Sequence, residues 1–155
     1  MVISLKKLIL LVLPIFLLFT TSATFVNKSS SYIAIEKNSL RILSGENIHN
    51  QLLVASTAKI LTALTAITYY NLDENIVISD SDTKEVGSKV YLKKDEILTR
   101  RDLIYALMLR SANDAASALS FNNSDLFIYQ MNELAKEIGM KNSVFANASG
   151  LDERE

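Results

Sequence analysis

The chain has 155 residues and a formal net charge of −1, which suits a single domain and supplies no basic face for nucleic acid. It has no cysteine and one histidine, so disulfides, thiolate metal sites and sites built on several imidazoles are excluded. We expect neither a metal nor a cofactor.

The first residues predict an export signal. Lys6 and Lys7 precede an uncharged apolar run over residues 8–20, and the small residues Thr21, Ser22 and Ala23 follow. The run is shorter than the ~20 apolar residues that span a membrane, which favours a cleaved signal peptide over an uncleaved anchor. We therefore expect residues 1–23 to be removed and the chain to be exported to the cell envelope or beyond. Losing two lysines and no acid would change the net charge from −1 to −3.

The first half of the remaining chain predicts a hairpin, a helix and short strands. Residues 32–35 and 40–43 read as strands around a turn at 36–39, followed by a loop over 45–50. Residues 56–70 have helical periodicity, with these apolar side chains on one face: Ile60, Ala63, Leu64 and Ile67. Residues 75–78 and 90–92 are strand candidates, separated by a charged linker.

The second half predicts helices. Thr99 and Asp102 fit a capping box that opens a helix. Its apolar face comprises Leu103, Ile104, Leu107 and Met108. Asn113 and Asp114 interrupt that pattern. Ser124 begins a further helix that stops at Gly139. Its predicted core residues are Phe127, Met131, Leu134, Ala135 and Ile138.

A hydroxyl and an amine meet at the start of the first predicted helix. Ser56 and Lys59 are three residues apart and therefore lie on the same side, one turn apart. An uncharged lysine amine can take the serine proton, which makes a nucleophile without histidine. The S-x-x-K pattern is weak alone, because Ser81 and Lys84 repeat it in a polar stretch without helical periodicity. On spacing alone, a helix-capping Ser56 and a solvated Lys59 remain the favoured interpretation.

A second group of residues favours a functional site over the capping interpretation. Ser111 and Asn113 form a Ser-x-Asn pattern within Leu-Arg-Ser-Ala-Asn-Asp-Ala-Ala, residues 109–116, although Ser120 begins a second bare match. Downstream come Met-Asn at 131–132, Ile-Gly-Met at 138–140, and Phe-Ala-Asn-Ala-Ser-Gly-Leu-Asp at 145–152. In order and spacing, residues 32–152 resemble the serine-type D-alanyl-D-alanine carboxypeptidases, which are low-molecular-mass penicillin-binding proteins.

The resemblance implies a role for four residues. Ser56 would attack the carbonyl between the two terminal D-alanines of a peptidoglycan stem peptide, with Lys59 as its base. That role needs a neutral amine, and hence burial or a nearby positive charge. Ser111 would relay the proton to the leaving amine, and Asn113 would bind the substrate amide and orient Lys59. Water would release the acyl group, whereas a β-lactam would be trapped on Ser56.

The resemblance also implies a fold and an incomplete catalytic domain. The family fold is α+β, an α/β/α sandwich of the β-lactamase and D,D-peptidase type with a mainly antiparallel sheet. The family's third motif, Lys-Thr-Gly or Lys-Ser-Gly, is absent from residues 24–155. We therefore expect residues 24–155 to be the N-terminal portion of a catalytic domain, truncated before the C-terminal sheet strands. We expect it to be poorly folded or inactive alone, since losing one oxyanion donor already costs ~3 to 4 kcal/mol.

Two other functions stay open. A serine β-lactamase shares both motifs, but class A enzymes typically carry aspartate where this chain has Ala112, together with a Glu-x-x-Leu-Asn loop that is absent here. A non-catalytic exported protein that binds cell-wall stems or a partner is the third hypothesis.

Overall fold

The computed structural model describes residues 30–120 and 124–151, which form two units divided between Ile48 and His49. The predicted signal segment lies outside the described residues, as do residues 121–122 of the second Ser-x-Asn match and Asp152. Within the described ranges, no helix combines the length and the apolar character needed to cross a bilayer.

The first unit contains the predicted hairpin. Strand β1, Tyr32–Ile35, pairs antiparallel with β2, Ile42–Glu46. The second strand starts two residues later than predicted and continues through Gly45 and Glu46, which the sequence had assigned to a loop. The turn is longer because the Glu36 carboxylate accepts the N–H groups of residues 38 and 39, at 3.0 and 2.6 Å. Leu40 then adopts a φ of +56°, which an extended strand does not allow.

The second unit is organised around helix α1, Ala58–Tyr69, which a 3₁₀ turn over Ala55–Thr57 precedes. The buried side of α1 faces helices α3, Arg100–Arg110, and α5, Ser124–Glu137. It is composed mainly of small side chains, Ala58, Thr62, Ala63, Thr65 and Ala66 together with Lys59 and Leu61. Of the predicted apolar face only Ala63 is buried, whereas Ile60, Leu64 and Ile67 are exposed. Small residues occupy the buried side because small side chains let neighbouring helices approach closely.

The start of α3 and the core are largely as predicted. Thr99 Oγ1 accepts the Asp102 N–H at 3.1 Å and the Asp102 carboxylate accepts the Thr99 N–H at 3.1 Å, which confirms the capping box. The buried predicted core residues are Leu103, Leu107, Phe127, Met131, Leu134 and Ala135. Met108 and Ile138 are about half exposed. Ile138 lies beyond the last residue of α5, so the prediction that it belongs to the core is wrong.

The segment between α1 and α3 differs from the prediction. Strand β3, Asn75–Val77, pairs antiparallel with β4, Ile97–Thr99, which was not predicted. Residues 90–92 form no strand. The charged linker contains a one-turn helix, α2, Asp80–Thr83, whose N-cap Ser79 forms a capping box with Asp82. Helix α4, Asn113–Ser120, follows α3 after a two-residue break.

The capping box gives a stability prediction. Replacing Thr99 with alanine removes the acceptor for the Asp102 N–H, and we expect the free energy of unfolding to fall by about 1 kcal/mol. The measurement is the midpoint of urea unfolding of the chain. Thr68→Ala is the matched control, because Thr68 is exposed on α1. Equal shifts in the two variants would contradict the role of the cap.

Candidate active site

Ser56 lies in the 3₁₀ turn before α1 and is exposed to solvent. The turn is closed by the Val54 carbonyl, which accepts the Thr57 N–H at 3.1 Å and the Thr57 hydroxyl at 2.6 Å. Ala55 has a φ of +46°, a left-handed conformation that is rare for residues with a Cβ. Such strain is concentrated at functional sites, where the surrounding structure maintains it.

Lys59 is buried one turn beyond Ser56, with 2% of the residue exposed. Its Nζ lies 3.0 Å from Ser56 Oγ and 2.9 Å from the carbonyl oxygen of Ser149. None of the ion pairs among residues 30–120 and 124–151 includes Lys59. Burial lowers the pKa of the Lys59 amine from its ordinary value. The neutral amine can accept the Ser56 hydroxyl hydrogen at this distance, so the pair has the geometry of a nucleophile and its base.

The Ser149 carbonyl that contacts Lys59 belongs to a turn near the end of the described chain. The Asn147 side-chain oxygen accepts the Gly150 N–H at 2.7 Å, and Thr62 Oγ1 donates to the Ala148 carbonyl at 2.7 Å. Gly150 has a φ of +74°, and a Cβ there would lie 2.0 Å from the Ala55 carbonyl oxygen. Only glycine therefore lets this turn approach the Ser56 segment. The contact of Ser149 with Lys59 was not predicted, because a backbone carbonyl leaves no signal in residue identity.

Ser111 occupies the C-cap of α3 in a left-handed conformation, with φ +53° and ψ +38°. Glycine or asparagine is usual there, so serine carries a conformational cost. Among the described residues no hydrogen bond joins its side chain to Ser56 or Lys59. The described residues thus bring Ser56 and Lys59 together but show no hydrogen bond from Ser111 to either of them.

Asn113 begins α4 and is 3% exposed. Its side-chain Nδ2 donates to the Val86 carbonyl at 2.6 Å, and its backbone N–H donates to the Ser88 carbonyl at 2.7 Å. Its Oδ1 is buried and has no hydrogen-bond partner within the described part of the chain. Asn113 is thus held by one side of its amide, while the other side presents an unused acceptor.

The second S-x-x-K match has a different environment. Lys84 is largely exposed and forms an ion pair with Asp80. The Ser81 hydroxyl shares a hydrogen bond of 2.8 Å with the hydroxyl of Ser79. Both matches therefore have serine and lysine at helical spacing, but only the match at Ser56 has a buried lysine amine.

Comparison with known proteins gives a consistent family. The model of the family described as D-alanyl-D-alanine carboxypeptidase matches residues 19–155. D-alanyl-D-alanine carboxypeptidase DacF of Bacillus subtilis is 27% identical over 140 residues, which cover 85% of this chain and 36% of that protein. DacB2 of Mycobacterium tuberculosis is 30% identical over 126 residues, which cover 80% of this chain and 43% of that protein. The chain thus spans about two fifths of the length of these curated relatives.

Solved structures agree with this assignment. The D-alanyl-D-alanine carboxypeptidase of Mycobacterium tuberculosis matches with a TM-score of 0.75 and 31% identity, over 79% of this chain and 47% of that one. DacD of Francisella tularensis matches with a TM-score of 0.75 and 29% identity, over 83% of this chain and 33% of that one. The described part of the chain shares the α+β fold of these structures.

The lowered pKa of Lys59 predicts how stability depends on pH. Between that lowered pKa and the ordinary value of 10.5, the unfolded chain binds a proton that the folded chain does not. The free energy of unfolding should therefore rise with pH across this window. Urea unfolding from about pH 7 to about pH 10 measures the rise. We expect Lys59→Met to lack it and Lys84→Met, at an exposed lysine, to keep it. An unchanged rise in Lys59→Met would show that Lys59 is not its source.

Proposed function

Because the chain belongs to the D-alanyl-D-alanine carboxypeptidase family, we propose that it carries the serine–lysine part of a site that removes the terminal D-alanine from peptidoglycan stem peptides. The observation that supports this most strongly is the buried Lys59 amine, 3.0 Å from the exposed hydroxyl of Ser56. The exposed hydroxyl can reach a substrate, while burial favours the neutral amine that a base requires.

The proposed reaction has two steps. In the first, Ser56 Oγ attacks the carbonyl carbon of the penultimate D-alanine while its proton passes to Lys59. The C–N bond breaks, the leaving amine takes up a proton, and the stem remains as an ester on Ser56. In the second, water attacks that ester and releases the shortened stem. A β-lactam follows the first step by opening its ring, which keeps the leaving amine attached.

Two further residues have proposed roles. The Ser111 hydroxyl, on a strained C-cap, would relay the proton from Lys59 to the leaving amine. The unpartnered Oδ1 of Asn113 would accept a hydrogen bond from the substrate amide. An acceptor buried without a partner is costly, and a ligand donor would remove that cost.

The proposal includes export. Residues 1–23 would act as a signal peptide, and residues 24–155 would form the N-terminal portion of a transpeptidase-like catalytic domain in the cell envelope. The proposed partners are stem peptides that end in D-alanyl-D-alanine, and β-lactams. The composition argues against a nucleic-acid partner.

Covalent labelling with a fluorescent penicillin tests the proposal. We expect the label to form slowly, because the chain lacks the Lys-Thr-Gly or Lys-Ser-Gly motif, and to reach at most one acyl group per chain. The label should lie on the peptide that contains Ser56, detected by mass spectrometry after digestion. Ser56→Ala should abolish the label. Ser81→Ala should keep it, because Ser81 belongs to the exposed S-x-x-K match.

The same assay distinguishes the alternatives. Binding of a stem peptide without any label would favour a non-catalytic binding protein. Rapid hydrolysis of the penicillin, with no lasting ester, would favour a β-lactamase. A label on a residue other than Ser56 would overturn the proposed site.

A charged replacement of Lys59 tests its role as the base. Lys59→Arg keeps hydrogen-bond donors beside Ser56, but a guanidinium stays protonated and cannot accept the serine proton. We expect the acylation rate to fall about 10²- to 10⁴-fold. In the wild-type chain the rate should rise with pH, with a midpoint below the ordinary lysine value of 10.5, since burial lowers the pKa of Lys59. Equal acylation rates in the two proteins would exclude Lys59 as the base.

A further inference from the structure

A buried carboxylate lies beside the proposed site and has no part in the proposed reaction. Asp114 is fully buried, at 0% exposure, and follows Asn113 in α4. Its two carboxylate oxygens accept the N–H groups of Val90 at 3.2 Å and Leu92 at 3.1 Å, residues 24 and 22 positions earlier in the chain. These contacts explain why residues 90–92 form no strand, since two of their backbone donors are already paired with a side chain.

Tyr91, between these two donors, has a φ of +61°, a left-handed conformation that a residue with a Cβ rarely adopts. The conformation turns the N–H groups on either side of Tyr91 toward one carboxylate. Such concave arrangements of backbone N–H groups bind anions, and here the anion is the side chain of Asp114. The interaction therefore maintains a backbone conformation that Tyr91 would not favour alone.

Asn113 binds the other end of the same segment. We call residues 86–92 the flanking loop. The Asn113 side-chain Nδ2 donates to the Val86 carbonyl at 2.6 Å, and its N–H donates to the Ser88 carbonyl at 2.7 Å. A Cβ on Gly87 would lie 2.9 Å from Nδ2, so the loop and the amide are closely packed. Two consecutive residues of α4 thus fix the flanking loop at four backbone positions.

This attachment determines which atom of the Asn113 amide is free. A side-chain amide can rotate by half a turn and exchange its oxygen with its nitrogen. With the Val86 carbonyl in place, that rotation would bring two acceptors together and leave the N–H₂ group without its acceptor. The loop therefore favours the orientation in which Oδ1 is the unpartnered atom.

We propose that Asp114 is a positioning residue for the carboxypeptidase site: it fixes the flanking loop, so that the Val86 carbonyl orients the Asn113 amide for contact with the amide of the substrate. The contact with substrate rests on the proposed function, whereas the attachment of the loop does not. Asp114 itself does not touch substrate.

The first test measures the attachment directly. Asp114→Asn preserves the size of the side chain, but its NH₂ group cannot accept one of the two loop N–H groups. We expect amide hydrogen exchange, followed by NMR on the full chain, to accelerate about tenfold or more at Val90 and Leu92, because a lost acceptor destabilises the closed loop. The matched control is Asp82→Asn. Asp82 is equally buried, but accepts hydrogen bonds from Ser79 and Ser117 rather than from the flanking loop.

The second test measures the effect on the site. In Asp114→Asn we expect acylation by benzylpenicillin, which has a side-chain amide, to slow about tenfold, the change that one weakened hydrogen bond gives. Acylation by penicillanic acid, which lacks that amide, should change less than twofold. Gly87→Ala, which displaces the Asn113 amide from the loop, should reproduce this selectivity if Asp114→Asn does not fold. Asp82→Asn should change neither rate by more than twofold.

The outcomes separate this proposal from the proposed function. Unchanged exchange at Val90 and Leu92 in Asp114→Asn would overturn the attachment, and equal slowing with both penicillins would overturn the orientation of Asn113. If the wild-type chain reacts with neither penicillin, the proposed function fails, and the exchange measurement alone then decides whether Asp114 fixes the loop.

Discussion

Within residues 49–120 and 124–151 of the second unit, one buried amine has no acidic partner. Burial disfavours a charged ammonium, and a neighbouring carboxylate would favour it. Among the described residues Lys59 has the first influence without the second, since its Nζ contacts a hydroxyl and a backbone carbonyl. Neutral oxygens can accept from the amine in either protonation state without fixing it in the charged form. The chemistry proposed for Ser56 depends on a neutral amine, and hence on this difference between burial and charge.

The burial of that amine depends on parts of the chain that are distant in sequence. The small side chains on one side of α1 allow α3 and α5 to pack closely against this helix. The turn that contains Ser149, 90 positions after Lys59, is fixed by a hydrogen bond from Thr62 and by the absence of a side chain on Gly150. The proposed nucleophile and base are therefore close in sequence, whereas the groups around them are not.

This difference explains which features the sequence predicted. The spacing of Ser56 and Lys59 and the capping box at Thr99 follow from local rules, and the structure has both. The strand expected at residues 90–92 is wrong because Asp114, more than 20 positions away, takes two of its backbone donors. Strand β4 was missed because only three residues pair with β3. The contact of Ser149 with Lys59 arises from a backbone carbonyl, and residue identity does not encode where such a group points.

The two S-x-x-K matches share one sequence pattern, but their lysines lie in different environments. Both serines precede a lysine by three positions in or beside a helix, so the spacing alone cannot distinguish them. The hydrogen bond from Lys84 lowers the pKa of the Asp80 carboxyl, and both partners of that ion pair are exposed to solvent. Lys59 is buried, and no carboxylate of the described residues forms an ion pair with its Nζ. A lysine can act as a base when the fold removes the charges and solvent that would keep it protonated. The four-residue pattern only supplies a hydroxyl within reach of that lysine.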